Sequence, residues 1–339
     1  MSDETPVRLG TWPTPLEPAP RLARIVGLEP DDLWIKRDDL TGLAGGGNKV
    51  RKLEWTAGAA LRQGARTLVT SGAPQSNHAR LTAAAAARLG MDAVLVLKGS
   101  PPGVLKGSPP GAVSGNIALD GILGARIVWA GDVDQAGLGA VLDEVAEELR
   151  AQGAGPAVIP FGGSSVLAAR GYAEAGHELL TQAPDLATLV VAMGSGGTMA
   201  GLVHALGADR VLGVDVGAVT DPGQVVSDFV AGLAGPGAPA AHALRLRRDQ
   251  VGAGYAELTD AVTDALTVTA RAEGVVLDPV YTGRAMAGLI AAVAEGDVRP
   301  GQRTVFLHTG GLPGLFGHTA AMARAQAAVT DSSTVHSRP

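Results

Sequence analysis

The chain has no cysteine, which removes disulfides, thiolate metal sites and a cysteine nucleophile from consideration. Aromatic residues make up only 3% of it, so a β-sandwich core is a poor fit, and closely packed helices on a sheet suit it better. No basic block exists and the net charge is −6, which argues against nucleic acid or an anionic membrane as partner. No stretch free of glycine and charge is long enough for a membrane span. The opening Met1-Ser2-Asp3-Glu4-Thr5 is acidic and lacks the apolar stretch of a signal peptide, so the expected address is the cytoplasm. No metal ligand set stands out.

Glycine is what the chain has in quantity: 48 residues among 339, with frequent alanine runs, 46% hydrophobic and 18% charged. That length suits a large core and two lobes sharing a cleft. The regular alternation of elements argues against disorder. Residues 1–32 are rich in proline and polar side chains and read as an extended arm. Strand 33–37 leads to Asp38-Asp39 and a glycine loop, then a helix whose apolar positions Val50, Leu53, Ala57, Ala60 and Leu61 recur at helical spacing up to Gly64. Strand 67–70, a helix from Ser76-Asn77 to Gly90 and strand 93–97 follow in βαβ order, which predicts a parallel sheet. Helices 115–123 and 135–151 alternate with strands 126–129 and 157–159, and helix 166–180 follows. The run Leu189–Met193 reads as a strand buried on both faces, with helix 199–206 and strand 211–216 after it. Helices 260–273 and 283–294 and strand 304–308 complete a doubly wound α/β pattern, with a disordered tail expected from about Thr330. Residues 97–103 recur as 105–111 (Leu-Lys-Gly-Ser-Pro-Pro-Gly), which reads as a duplicated surface loop.

Two stretches carry chemistry. Gly45-Gly46-Gly47-Asn48-Lys49 delivers a lysine onto the first turn of a helix, where desolvation could free its amine to attack a carbonyl. An exposed basic turn is the plain alternative. The second stretch, Gly194-Ser195-Gly196-Gly197-Thr198, lies between a buried strand and a helix, where backbone N–H groups receive a phosphate. A dinucleotide fits it poorly, because the third fingerprint glycine falls at Met199; a nucleotide triphosphate fits worse, because no lysine follows the glycines. A loop lysine and a monophosphate cradle together suggest pyridoxal 5′-phosphate held as a Schiff base. Asn77 could meet the ring hydroxyl, although it and Ser76 could equally be helix caps. Tyr255 and Tyr281, two of three tyrosines, sit in loops as ring-face or rim residues. His78 and His308 read first as structural histidines.

These residues resemble, along nearly the whole chain, the 1-aminocyclopropane-1-carboxylate deaminase and D-cysteine desulfhydrase family. The matching stretches are Ile35–Asp39, Gly46–Glu54, Gln75–Arg80, Gly194–Thr198, Asp278–Met286 and His308–Gly311. The resemblance implies the tryptophan synthase β-like fold, or fold type II. That fold has two open, twisted, mostly parallel sheets flanked by helices, with the cofactor between the domains. It implies a large domain of residues 1–49 and 161–330, a small domain of 50–160, and a homodimer. Lys49 resembles the Schiff-base lysine, and Asn77 the partner of the ring hydroxyl. Gly194, Ser195, Gly196, Gly197 and Thr198 resemble the phosphate cradle. Ser76 matches a serine acting near the substrate as base or carboxylate contact; Tyr281 and Tyr255 match the two active-site tyrosines. Asn77 and His78 are grouped with Ser76 and the tyrosines as substrate contacts.

Where the cyclopropane deaminases carry a glutamate after the tyrosine, this chain has Thr282. A neutral hydroxyl from Thr282 or Thr309 against the pyridine nitrogen suits β-elimination better than ring opening. The implied activity is therefore a β-eliminating lyase on a small amino acid, D-cysteine first. Alternatives are L-cysteate, ring opening, or a catalytically reduced cofactor-binding protein. The family's Gly-x-Pro-Asn run after the second tyrosine is replaced here by Ala256-Glu257-Leu258-Thr259-Asp260, which puts substrate specificity in question.

Overall fold

A computed structural model of the chain describes residues 5–101 and 113–332. Most of the duplicated Leu-Lys-Gly-Ser-Pro-Pro-Gly segment, and the tail beyond residue 332, lie outside the described residues. The arm expected over residues 1–32 holds two elements instead: strand β1 (Leu16–Pro18) and helix α1 (Pro20–Val26). Proline is compatible with a first helical turn, where its missing N–H costs nothing, and Gly27 closes the helix at φ 96°. Strand β2 (Leu33–Arg37) and helix α2 (Lys49–Arg62) come next. Strand β3 (Thr67–Gly72), helix α3 (Asn77–Leu89), strand β4 (Asp92–Leu97), helix α4 (Gly115–Ile122) and strand β5 (Arg126–Trp129) follow. Helix α5 (Gln135–Ala151), strand β6 (Pro156–Val158), helix α6 (Val166–Gln182), strand β7 (Thr188–Met193), helix α7 (Gly197–Leu206) and strand β8 (Val211–Asp215) continue the alternation. Between 217 and 259, where the sequence pattern assigns nothing, stand helix α8 (Pro222–Ala234) and strand β9 (Arg245–Arg247). Helices α9 (Asp260–Glu273) and α10 (Thr282–Ala294) and strand β10 (Thr304–His308) precede helices α11 (Leu312–Phe316) and α12 (Thr319–Ser332). The C-terminal region is thus helical two residues past the point where a tail was expected.

The strands form two sheets. Six run in the order β1-β2-β10-β7-β8-β9 and four in the order β5-β4-β3-β6. Every pairing is parallel except that of the edge strand β1 with β2. β7 is buried at all six positions, as its apolar run requires when helices cover both faces. Small residues set the helix spacing. A Cβ on Gly171 of α6 would stand 2.3 Å from the carbonyl oxygen of Arg51, and one on Gly201 of α7 would stand 2.2 Å from that of Ala169. Backbones this close explain how a chain so poor in aromatics still closes its core.

Helix α2 is tied to the six-stranded sheet by buried charge. Asp38, just past β2 and fully buried, accepts from Arg51 Nε at 2.8 Å and Nη2 at 2.9 Å, from the Tyr172 hydroxyl at 2.6 Å and from Thr14 Oγ1 at 2.7 Å. Glu178 on α6 accepts from Arg51 Nη1 at 3.1 Å and from Lys36. Burial alone would raise the Asp38 carboxyl, but the Arg51 guanidinium and these donors hold it below the usual range. Glu54, one turn beyond Arg51, accepts from the Leu9 and Gly10 N–H groups at 2.7 and 2.9 Å and from Trp12 Nε1, which fastens the N-terminal arm across α2. Asp38→Ala leaves the buried Arg51 with Glu178 as its remaining carboxylate and is expected to cost about 3 kcal/mol of stability, the low end for breaking a buried pair. Urea unfolding measures it, and a loss under about 1 kcal/mol would show that the pair holds nothing.

Candidate active site

A cavity of about 250 Å³ opens where the C-terminal ends of β3, β7 and β10 approach one another. This is the position at which parallel α/β sheets receive ligands. Helices α2, α3 and α7 begin on its wall, through Lys49, Asn77 and Thr198, so three helix N-termini with their partial positive charge meet there. No acidic side chain lines the cavity among the described residues, whereas Lys49, Lys52 and Lys98 do.

The lysine loop is built rigidly. Gly46 has φ 67°, and a Cβ there would lie 2.0 Å from the carbonyl oxygen of Asp39, so only glycine fits. The Gly47 N–H donates to Thr41 Oγ1 at 2.8 Å, the Asn48 N–H to the Thr309 carbonyl at 3.0 Å, and Arg80 Nη1 to the carbonyls of Ala44 and Gly46 at 2.5 and 3.1 Å. Lys49 and Lys52 stand three residues apart on one helix face. Burial pushes the Lys49 amine down to about 8, and burial together with the Lys49 charge pushes Lys52 well below its ordinary value. Lys52 is fully buried and donates to Ser164 Oγ at 2.9 Å. Sequence reasoning missed Lys52 and Ser164. The Lys49-x-x-Lys52 spacing was the available signal.

Of the expected cradle, Gly194, Ser195, Gly196 and Thr198 line the cavity. Gly197 does not, and its N–H donates to Ser164 Oγ at 3.2 Å. Ser195 Oγ lies 2.8 Å from Ser164 Oγ, and Asn48 Nδ2 donates to Thr198 Oγ1 at 3.0 Å. Gly196 takes φ 89°. Ser76 caps α3, accepting from the Ala79 N–H at 3.1 Å, which leaves its own proton free for a ligand. His78 lines the cavity but is 2% exposed, with Nε2 at 2.9 Å from Thr70 Oγ1; burial holds it neutral.

The two threonines part company. Thr309 lines the cavity and its hydroxyl has no partner among the described residues. Thr282 is fully buried away from it, its Oγ1 donating to Asp278 Oδ1 at 2.7 Å and accepting from the Asp278 N–H at 2.8 Å. The Asp278 carboxylate also accepts from the N–H groups of Val280 and Tyr281 at 2.9 Å each, which fixes the start of α10 and the Tyr281 ring. The Tyr255 and Tyr281 hydroxyls are 2.6 Å apart on the opposite wall. Burial and the neighbouring Tyr255 raise Tyr281 well above the usual phenol, so it stays protonated. The altered 256–260 segment does not line the cavity; it lies just beyond Tyr255 and is anchored there, Arg284 donating to the carbonyls of Val216, Gly254 and Glu257, and His318 Nε2 lying 2.9 Å from the carbonyl of Ala256.

Behind α3, Arg80 faces Asp120 on α4, whose buried carboxylate has no hydrogen-bond partner among the described residues. Burial pushes that carboxyl up to about 7, with Arg80 offsetting only part of the shift.

Residues 7–310 match the family described as pyridoxal-phosphate dependent enzyme. The chain is 42% identical over 315 residues to the D-cysteine desulfhydrase of Salmonella schwarzengrund (strain CVM19633), covering 90% of this chain and 94% of that protein. A crystal structure described as an ACC deaminase homologue superposes with TM-score 0.84 at 35% identity, over 95% of this chain and 97% of that one. Maize serine racemase superposes with TM-score 0.62 at 17% identity, over 94% and 92%, which shows a shared fold.

The Asp120 carboxyl generates a stability prediction. Its folded pKa exceeds the ordinary value, so the unfolded chain releases its proton first, and stability falls as pH rises from about 4 to about 7. Asp120→Asn is expected to remove that fall and to gain about 1–3 kcal/mol near pH 8 over wild type. Urea unfolding near pH 5 and pH 8 measures this, and a variant that parallels wild type at both would refute it.

Proposed function

The chain belongs to the pyridoxal-phosphate dependent enzymes, within the group of 1-aminocyclopropane-1-carboxylate deaminases and D-cysteine desulfhydrases, and from that premise we propose that it is a D-cysteine desulfhydrase. It is a pyridoxal-phosphate-dependent lyase with the fold type II architecture. The observation that carries the residue roles is the pair of desolvated lysines on a wall without acid. Two desolvated amines, one able to attack a carbonyl and one able to take up a proton beside an anion, fit a cofactor bringing both a carbonyl and a phosphate. Gly196 at φ 89°, with the Ser195 and Thr198 hydroxyls beside it, offers donors of the kind a phosphate takes.

In this reading Lys49 holds the cofactor covalently, and Lys52, Ser195, Thr198 and the backbone of 194–196 hold its phosphate. Asn77 donates to the ring hydroxyl, and Thr309 meets the pyridine nitrogen, since the Thr282 hydroxyl is spent on Asp278. When bound, pyridoxal 5′-phosphate supplies the electron sink that makes the substrate α-C–H acidic. Ser76 and the N-terminus of α3 receive the substrate carboxylate. Lys49 Nζ, whose pKa desolvation lowers to about 8 so that a large share is unprotonated there, takes the α-proton. The β-sulfur departs as hydrosulfide with its bonding electron pair, beside the Tyr255–Tyr281 hydroxyls, and hydrolysis yields pyruvate and ammonia. The same reading takes residues 1–49 and 161–330 as the large domain, 50–160 as the small one, and the protein as a cytoplasmic homodimer. The four-stranded sheet, drawn wholly from residues 67–158, supports that division.

A second substrate has one observation in its favour. Lys98 lines the cavity with its side chain 48% exposed and only a 3.7 Å contact to Asp132, a spare cation that would suit the sulfonate of L-cysteate. Purified protein is expected to show a visible cofactor band and to release pyruvate and sulfide from D-cysteine; pyruvate with sulfite from L-cysteate instead would transfer the assignment. Lys49→Ala should lower turnover at least about 100-fold, the low end for a lost proton-transfer group, and turnover near wild type would end the Lys49 role. Lys52→Ala should retain the covalent band but weaken cofactor affinity about 10–100-fold, measured by reconstitution of the apoprotein. Unchanged affinity would remove Lys52 from the phosphate.

A further inference from the structure

We infer that Asn116, oriented by Arg80, is a positioning residue that decides which end of the Asn77 amide faces the cofactor. The inference rests on the reading of Asn77 as partner of the ring hydroxyl. Four hydrogen bonds carry it. Arg80 Nε donates to Asn116 Oδ1 at 3.1 Å. Asn116 Nδ2 then donates to Asn77 Oδ1 at 2.9 Å and to the Gln75 carbonyl at 2.9 Å. The Asn116 N–H donates to Gln75 Oε1 at 2.8 Å, which anchors the backbone of α4 against the loop before α3. Arg80 and Asn116 are fully buried, so neither can turn to water.

The direction of this chain of bonds does not depend on how the amides are assigned. An amide can be flipped, but a guanidinium only donates. With Arg80 Nε as fixed donor, Asn116 must point its oxygen at Arg80 and its NH2 at Asn77. The Gln75 carbonyl accepts from that same NH2, a second check on its direction. Asn77 must then offer Oδ1 inward, where Arg80 Nη2 adds a long contact of 3.5 Å, and its NH2 is left for the cavity. Asn77 Nδ2 has no partner among the described residues. A phenolate oxygen accepts hydrogen bonds, so a cavity-facing NH2 stabilises it and a cavity-facing carbonyl repels it. Arg80 is itself locked by the Ala44 and Gly46 carbonyls, so one cation sets both the loop that presents Lys49 and the amide that meets the ring.

The test is the pH midpoint of the bound cofactor's visible absorbance, which reports on the ring oxygen and not on turnover. A donor to that oxygen favours the deprotonated cofactor–lysine linkage, so its loss raises the midpoint. Asn77→Ala is expected to raise it by about one unit, equivalent to about 1.4 kcal/mol. Asn116→Asp keeps the shape and the acceptor for Arg80 but turns the donor to Asn77 into a second acceptor. The Asn77 amide then flips and presents its oxygen to the ring, so N116D is expected to shift the midpoint at least as far as N77A. Asn116→Ala, which frees the amide without inverting it, is expected to shift it less, and it supplies the measurement if N116D fails to fold or to load. A midpoint unchanged in N116D and N116A while N77A moves it overturns this inference and leaves the Asn77 role standing. A midpoint unchanged in N77A overturns the Asn77 role and this inference together.

Discussion

Two desolvated amines in a cavity with no carboxylate among the described residues are the constraint around which this molecule is built. Burying one lysine is costly, and burying a second one turn away adds repulsion, so the chain alone favours losing a proton at Lys49 and Lys52. Three helix N-termini aimed at the same space make it more positive still. An anionic group with a carbonyl to consume one of the amines suits this arrangement, and pyridoxal 5′-phosphate, the cofactor of this family, is such a group.

Helix α2 shows how the fold tolerates that arrangement. It carries Lys49, Arg51, Lys52 and Glu54 within six residues, and each is answered differently. Arg51 faces Asp38 and Glu178, and Glu54 faces three donors of the N-terminal arm, so one side of the helix is electrically complete. That completed side locks α2 between β2 and α6 and presents the uncompensated side to the cavity. The glycines at 171 and 201 serve the same end by letting the flanking helices close to backbone contact.

The site was legible wherever chemistry and spacing coincide in one short stretch. The loop before Lys49, the turn at 194–198, the cap at Ser76 and the motif around Tyr281 all stand where the pattern placed them, and four of the five turn residues, all but Gly197, face the cavity. Most of the long strands and helices were equally readable, because they hold an apolar period, and so were the short strands β5 and β6 inside the βαβ alternation. Helices α8 and α12, 13 and 14 residues long, were not assigned, and neither were α1, β9 and α11, which at three to seven residues are too brief for a period to show. The choice between Thr282 and Thr309 was hidden because it depends on Asp278, a residue with no motif reading of its own, taking the Thr282 hydroxyl. Asn116 was hidden for a related reason: its partners Gln75, Asn77 and Arg80 lie 36 to 41 positions away, and only the packing of α4 on α3 brings them together.

The missing carboxylate also limits which chemistry the cavity can perform. With no acid on the wall among the described residues, no side chain there can act as a carboxylate base or stabilise a protonated pyridine by charge. His78 is held neutral by burial with Nε2 beside Thr70, and the proposed reading gives proton handling to Lys49, Ser76 and the tyrosine pair. If Thr309 meets the ring as proposed, its neutral hydroxyl leaves a weaker electron sink than an ionised partner would. A weaker sink suffices when the substrate has an α-proton to lose and a β-substituent ready to depart with its electrons, as a thiol or sulfonate does. Opening a strained ring that has no α-hydrogen demands more. In the proposed reading Lys52 and the cradle bind the cofactor, and a wall without acid among the described residues suits elimination better than ring opening.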